Sequence, residues 1–140
     1  MNACWIAVAS RDHVRAAVAG GFAQLHHGKR VALDRLKPFD RIVYYSPRER
    51  MGDGQPVRAF TAIGEVLDAP LYPGERVGNL QPFRRGVRFF QSQDAPIEAL
   101  LGELSFTHGR TQWGMMFRRG VFRIGAQDYR VIAAAMKAVE

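Results

Sequence analysis

Residues 3–21, ACWIAVASRDHVRAAVAGG, leave the chain little conformational choice. An apolar run holding Trp5, Ile6 and Val8 reads as a buried strand. Ser10 follows at once, and serine is a favoured helix cap. Val14 and Val18 then share a face, and Gly20-Gly21 stop the helix after about two and a half turns. A strand therefore passes directly into a helix at Ser10.

The remaining strands are not so partnered. RIVYYS (41–46), VRAFTAIGEVL (57–67), FRRGVRFFQS (83–92) and GVFRIG (120–125) all read as strands, and 57–67 alternates most clearly. Gly64 inside it signals a bulge or a close backbone approach. Beyond that first helix, helical spacing appears in PIEALLGELSF, with apolar residues at 97, 100, 101 and 104, and in the closing AQDYRVIAAAMKAVE. Between them, 22–40 reads as short turns and loop, and PRERMGDGQPV as a charged, mobile loop. Strands not separated regularly by helices argue against a doubly wound parallel sheet. The expectation is an α+β fold: a small, strongly curved β-barrel of five or six strands with flanking helices.

At 140 residues the chain is expected to form one domain, 1–140. It is long enough to bury a core without disulfides or metal. A hydrophobic fraction of 47% with 24% charged residues describes an ordinary globular protein rather than a disordered one. The single cysteine, Cys4, excludes an internal disulfide and a multi-cysteine zinc site, and reads as a small core residue. No apolar stretch approaches a membrane span, and no signal peptide is visible, so a soluble, cytoplasmic protein is expected.

Charge points to a partner. Twenty Lys plus Arg against 13 Asp plus Glu give +7, most of the excess being arginine, and a polyanion fits that balance. Catalytic signatures are missing: no G-x-S-x-G, H-E-x-x-H or P-loop occurs. Cys4 with His13 is a poor nucleophile pair, because Cys4 falls inside a strand run. His26-His27 is a poor metal pair, because neighbouring helical residues point about 100° apart. No metal and no cofactor are expected.

Aromatic and basic residues carry the functional signal. Phe22, after Gly20-Gly21, either tucks under the helix end or stands at the rim of a cavity. Tyr44 and Tyr45 face opposite sides of their strand, as do Phe60 and Thr61. Arg58, Arg84, Arg85, Arg88, Arg118, Arg119 and Arg123 lie in or beside strands, where they could track a phosphate backbone. In SFTHGRTQWGMMFRRG (105–120), glycines rule out one continuous helix. That places Trp113 and Phe117 in irregular chain beside Arg118 and Arg119. Rings and arginines in loops either hold an unstacked base or cap the end of a barrel.

Taken together, CWIAVASRDHV, GGFAQLHHGK, LKPFDRIVYYSP, VRAFTAIGEV, PFRRGVRF, LSF and QWGMMFRRGVFRI resemble the EVE domain family of the PUA-like superfamily, related to the YTH and ASCH domains, over nearly the whole chain. The third piece usually reads Lys-Pro-Gly-Asp in that family; here Phe39 stands at the glycine. The resemblance implies a mixed, PUA-like barrel and a pocket for a single nucleobase, often a modified one. YTH domains read methylated adenine in RNA, and EVE domains are associated with modified cytosine in DNA. Carried onto this chain, the pocket would draw on Ser10, Phe22, Gln24, Tyr45, Phe60, Thr61 and Trp113, with His13 at its mouth. Phe22, Tyr45, Phe60 and Trp113 would supply ring faces, and Ser10, Gln24 and Thr61 would read the base edge. Arg84, Arg85 and Arg118 would hold phosphates. The expected function is a non-catalytic reader of a modified base in DNA or RNA. The alternatives are a small enzyme acting on a nucleotide or metabolite in the same pocket, and a module whose basic face docks an acidic protein.

Overall fold

Alternation along β1 (Cys4–Val8) divides the interior into two cores. Cys4 and Ile6 point to one side with Val43, Tyr45, Phe122 and Ile124, whereas Trp5 and Ala7 point to the other with Ile42, Tyr44 and Val121. Both faces are thus buried, which is why this strand reads as an unbroken apolar run. In this computed structural model, which describes residues 2–25 and 28–140, every strand of the sheet's centre behaves in the same way.

Helix α1 (Arg11–Gly20) and the short α2 (Arg30–Asp34) cover the second face. The carboxyl-terminal α3 (Ala126–Ala135) covers the first, with Tyr129, Ile132 and then Met136 turned inward. The other strands are β2 (Phe22–Ala23), β3 (Arg41–Arg48), β4 (Pro56–Val66), β5 (Tyr72–Pro73), β6 (Phe83–Phe89), β7 (Ala95–Pro96) and β8 (Val121–Ile124). The sheet runs β2-β6-β4-β3-β1-β8, with β5 on β6 and β7 on β4. Only the β1–β3 pair is parallel; all others are antiparallel. The result is a mixed, curled half-barrel with flanking helices, as expected.

Two devices curl the sheet. Thr61 is an extra residue between the Tyr44–Ala62 and Tyr45–Phe60 pairs, a bulge locked by a 2.7 Å hydrogen bond between Thr61 and the buried Ser46. Gly64 is the close approach: a Cβ there would stand 2.6 Å from the Arg88 carbonyl oxygen.

Three local expectations are corrected. The 97–104 segment forms only a 3-10 turn, Ile97–Leu100, although Ile97, Leu100 and Leu104 are buried as their spacing requires. Gly102 follows within two residues, too soon for a stable helix. Trp113–Arg119, read as irregular chain, is a 3-10 helix closed by Gly120 at φ 77°. The loop read over 47–57 is shorter at both ends: β3 continues to Arg48 and β4 begins at Pro56, leaving 49–55 as a turn that a Glu49–Gln55 backbone bond of 2.9 Å closes.

Candidate nucleic-acid interface

A cavity of about 260 Å³ opens where β1 meets α1. Its walls include Val8, Ser10, His13, Gln24, Leu25 and Val121, with Met51 and Gly120 at its edges. Its volume lies just below the roughly 300 Å³ where drug-sized sites begin, which suits one ring system.

Ser10 reaches this position because β1 turns into α1 without a loop. Its backbone is extended, at φ −61° and ψ 155°, but its side chain does not cap the helix. The hydroxyl instead donates to the Asp12 carboxylate, and the His13 N–H donates to the same oxygen at 2.7 Å. The Ser10 hydroxyl, foremost, holds the Asp12 carboxyl below its usual range. Ser10 can still accept a hydrogen bond from a ligand.

His13, one turn into α1, brings its Nε2 to 3.2 Å from the Gln24 carbonyl oxygen. A carbonyl can only accept, so Nε2 carries the proton. Beneath it lies Tyr44, fully buried, with its ring edge-on to the imidazole. The Gln24 N–H approaches the Tyr44 oxygen without full alignment, and among the described residues the hydroxyl finds no hydrogen-bond partner. Burial pushes that phenol far above its ordinary range.

Gln24 is the most constrained of the three. Its side-chain oxygen accepts from Arg84 Nε at 3.0 Å. With the oxygen so occupied, the amide NH₂ is the end of the side chain left to donate. Arg84 is itself braced: its guanidinium lies 3.9 Å above the Phe22 ring, and Gly74 leaves room for it, since a Cβ there would be 2.6 Å from Nε. Phe22, Arg84 and Gln24 form a stack that ends at the cavity.

The expected aromatic slot is not what the structure builds. Phe22 lies in the second core, whereas Phe60 and Trp113 belong to the first. Phe22 adopts the tucked position, so close under the helix end that a Cβ on Gly20 would meet its ring at 2.5 Å. Tyr45 and Phe60 are buried against one another and against Phe117, which stacks on Tyr45 at 4.2 Å. Burial pushes the Tyr45 phenol up to about 12, partly opposed by Arg58. Trp113 is half-buried, edge-on to Phe117 at 6.0 Å. Thr61 is the bulge residue bound to Ser46. Period-two alternation explains the separation: residues on opposite sheet faces cannot converge on one ring.

The phosphate trio also divides. Arg84 aims Gln24, and Arg85 donates to the Ala69 carbonyl at 2.9 Å and the Leu33 carbonyl at 3.4 Å. Arg118 stands exposed in the 3-10 helix, two residues before Gly120. Of the residues anticipated from sequence, the structure brings together Ser10, Gln24 and His13. Met51, Leu25, Val8, Val121 and Gly120 were not anticipated. Only Met51 carried a signal, as a lone methionine in a glycine-rich turn. His26 and His27 lie outside the described residues, and no cluster that could hold a metal occurs among those described.

A curled mixed half-barrel sheet with flanking helices is a PUA-like fold, here with a cleft at the end of its first strand. The family model described as EVE domain matches residues 3–135, and the chain belongs to that family. The UPF0310 protein msl3206 of Mesorhizobium japonicum is 48% identical over 141 aligned positions, covering 99% of this chain and 94% of that protein. The UPF0310 protein YdcG of Bacillus subtilis is 39% identical, covering 94% and 90% respectively. Among solved structures, Atu2648 of Agrobacterium tumefaciens superposes with a TM-score of 0.58 at 12% identity, over 94% of this chain and 91% of that one. Rpa0253 of Rhodopseudomonas palustris gives 0.53 at 15%, over 96% and 93%. These two show the shared fold alone.

Proposed function

We propose that the protein is a non-catalytic nucleic-acid reader that takes one extruded base, carrying a small modification such as a methyl group, into the β1–α1 cavity. The observation that carries this reading is a cavity one base in size lined by Ser10, His13 and Gln24. Arg84 occupies the Gln24 side-chain oxygen, so the amide NH₂ is the group left to donate, and Ser10 can accept. Fixed donors and acceptors are what edge recognition of a flipped base needs. Val8, Leu25 and Val121 supply an apolar wall for an added methyl, worth about 0.8 kcal/mol, or roughly fourfold in affinity. The excess of 20 basic over 13 acidic residues supplies attraction to phosphate. A covalent role for Ser10 is not supported, because its hydroxyl proton goes to Asp12 rather than to an imidazole.

The test is a titration of strands of one sequence carrying methylated cytosine, methylated adenine or no modification. One modified strand should bind about fourfold more tightly than the plain one. Gln24→Ala and Arg84→Ala should abolish that preference while leaving salt-dependent background binding. Equal binding of all strands by every variant would overturn the reading, and so would turnover of any of them.

A further inference from the structure

The cleft continues past Met51. A second cavity of about 200 Å³ shares Val8, Ala9, Ser10 and Met51 with the first and is completed by Pro47, Arg48, Arg50 and Gly52. We propose that this second cavity is a sugar-phosphate subsite. The ligand is then a nucleotide within a single strand: its base enters the first cavity, its sugar lies over Met51, and its phosphate is held by Arg48 and Arg50. This rests on the base-reading function and adds the chemical class of the ligand.

Two guanidiniums border this cavity with little ion pairing of their own. Arg48 is anchored by Nη1 to the Gly54 carbonyl at 3.2 Å, which positions the guanidinium without neutralising it. Arg50 forms its one close ion pair among the described residues with Asp53, at 3.9 Å, with the two side chains 63% and 87% exposed, a pair of negligible strength, and it also acts at longer range on Asp12. The acid between them, Glu49, pairs with Arg11 at 3.0 Å, and Arg11 is shared with Asp94. Asp12 and Asp53 are the remaining nearby acids, and Asp12 already accepts from Ser10 and from the His13 amide. The first amides of α1 do not compete for a phosphate. Asp12 N–H donates to the Glu49 carbonyl at 3.0 Å, His13 N–H to Asp12, and Val14 N–H to the Ser10 carbonyl at 3.0 Å.

The hairpin turn is shaped rather than slack. Asp12 holds it through Glu49, and Gly54 packs so closely that a Cβ would stand 2.3 Å from the Arg50 nitrogen. On this shaped turn Met51 is left 78% exposed between the two cavities, a large apolar side chain without a protein partner to cover it. A ribose or deoxyribose across it would remove that surface from water.

The experiment titrates a short DNA, the RNA of the same sequence, and the matching free nucleoside, at two salt concentrations. The wild type is compared with Arg50→Ala, Arg48→Ala/Arg50→Ala and Gln24→Ala. Circular dichroism confirms that each is folded, and Arg50→Ala keeps the test valid if Arg48 is needed for the turn. At least one strand should bind wild type tenfold or more above the nucleoside; which one does assigns DNA or RNA. The arginine variants should bind that strand about tenfold more weakly and flatten its salt slope by about 0.7 for each phosphate no longer neutralised, with nucleoside binding unchanged. Wild-type affinity and slope in the arginine variants, with Gln24→Ala still impaired, would overturn the phosphate subsite and leave the base reader standing. Impaired arginine variants with a normal Gln24→Ala would keep the subsite and overturn the base pocket. No saturable binding of any probe by wild type would overturn both.

Discussion

Ser10 shows how one side chain's partner changes its meaning. As a helix cap it would donate nothing to a ligand site; bound to Asp12 it stays in the cleft and lowers that carboxyl. A carboxyl whose folded value lies below its unfolded one stabilises the fold at neutral pH, and that contribution fades as pH falls through the folded value. Ser10→Ala should therefore raise the Asp12 titration towards the ordinary carboxylate range. It should also lower thermal stability slightly at neutral pH, with the difference vanishing in strong acid. Carboxyl chemical shifts followed against pH check the first point, and melting curves at two pH values the second. Ser10, His13 and Gln24 were expected at the pocket through the family resemblance, not through any local pattern of their own. The partner of each was not legible. Arg84 and Gln24 are 60 positions apart, and only the β2–β6 pairing brings them together.

Elements differ in how plainly they were written. β1, β3, β4 and β8 follow from apolar patterning, and α1 from its glycine stop, where Gly21 adopts φ 67°. The two-residue strands β2, β5 and β7 carry no period to detect and exist because a neighbouring strand offers hydrogen bonds. The turn into β3 is a departure of its own kind. Phe39 holds φ 71°, the left-handed region that suits glycine, while its N–H donates to the Val66 carbonyl at 2.8 Å and its carbonyl accepts from Asn2 and Arg41. These bonds, with buried Asp40 accepting from Ala3, Trp5 and Lys37, hold the turn against its strain. Left-handed backbone costs a side chain about 1–2 kcal/mol, and the added freedom of glycine offsets roughly half. Phe39→Gly should therefore stabilise the protein by about 0.5–1 kcal/mol, seen as a higher midpoint in urea with an unchanged slope. A drop in stability would show that the half-exposed ring contributes more than the strain removes.

At the scale of the whole molecule, the curled sheet decides what can meet. Both its faces are packed, so aromatic residues near one another in sequence order are distributed between two cores. That is why a slot walled by Phe22, Phe60 and Trp113, implied by the resemblance, is absent from the fold. One gap lies at the end of β1, where the turn to α1, the 49–55 turn and Gly120 leave space. No helix of the described chain is long and apolar enough to cross a membrane. The central claim is that this gap, rather than any aromatic cluster, is where a nucleic acid engages. Backbone amide shifts recorded while a methylated single strand is titrated into labelled protein test it most directly. The account predicts that the largest changes cluster at Ser10, His13, Gln24, Arg50 and Met51, with Phe60 and Trp113 barely moved. Changes centred on Trp113 and Arg118, with the β1–α1 cleft unaffected, would contradict it.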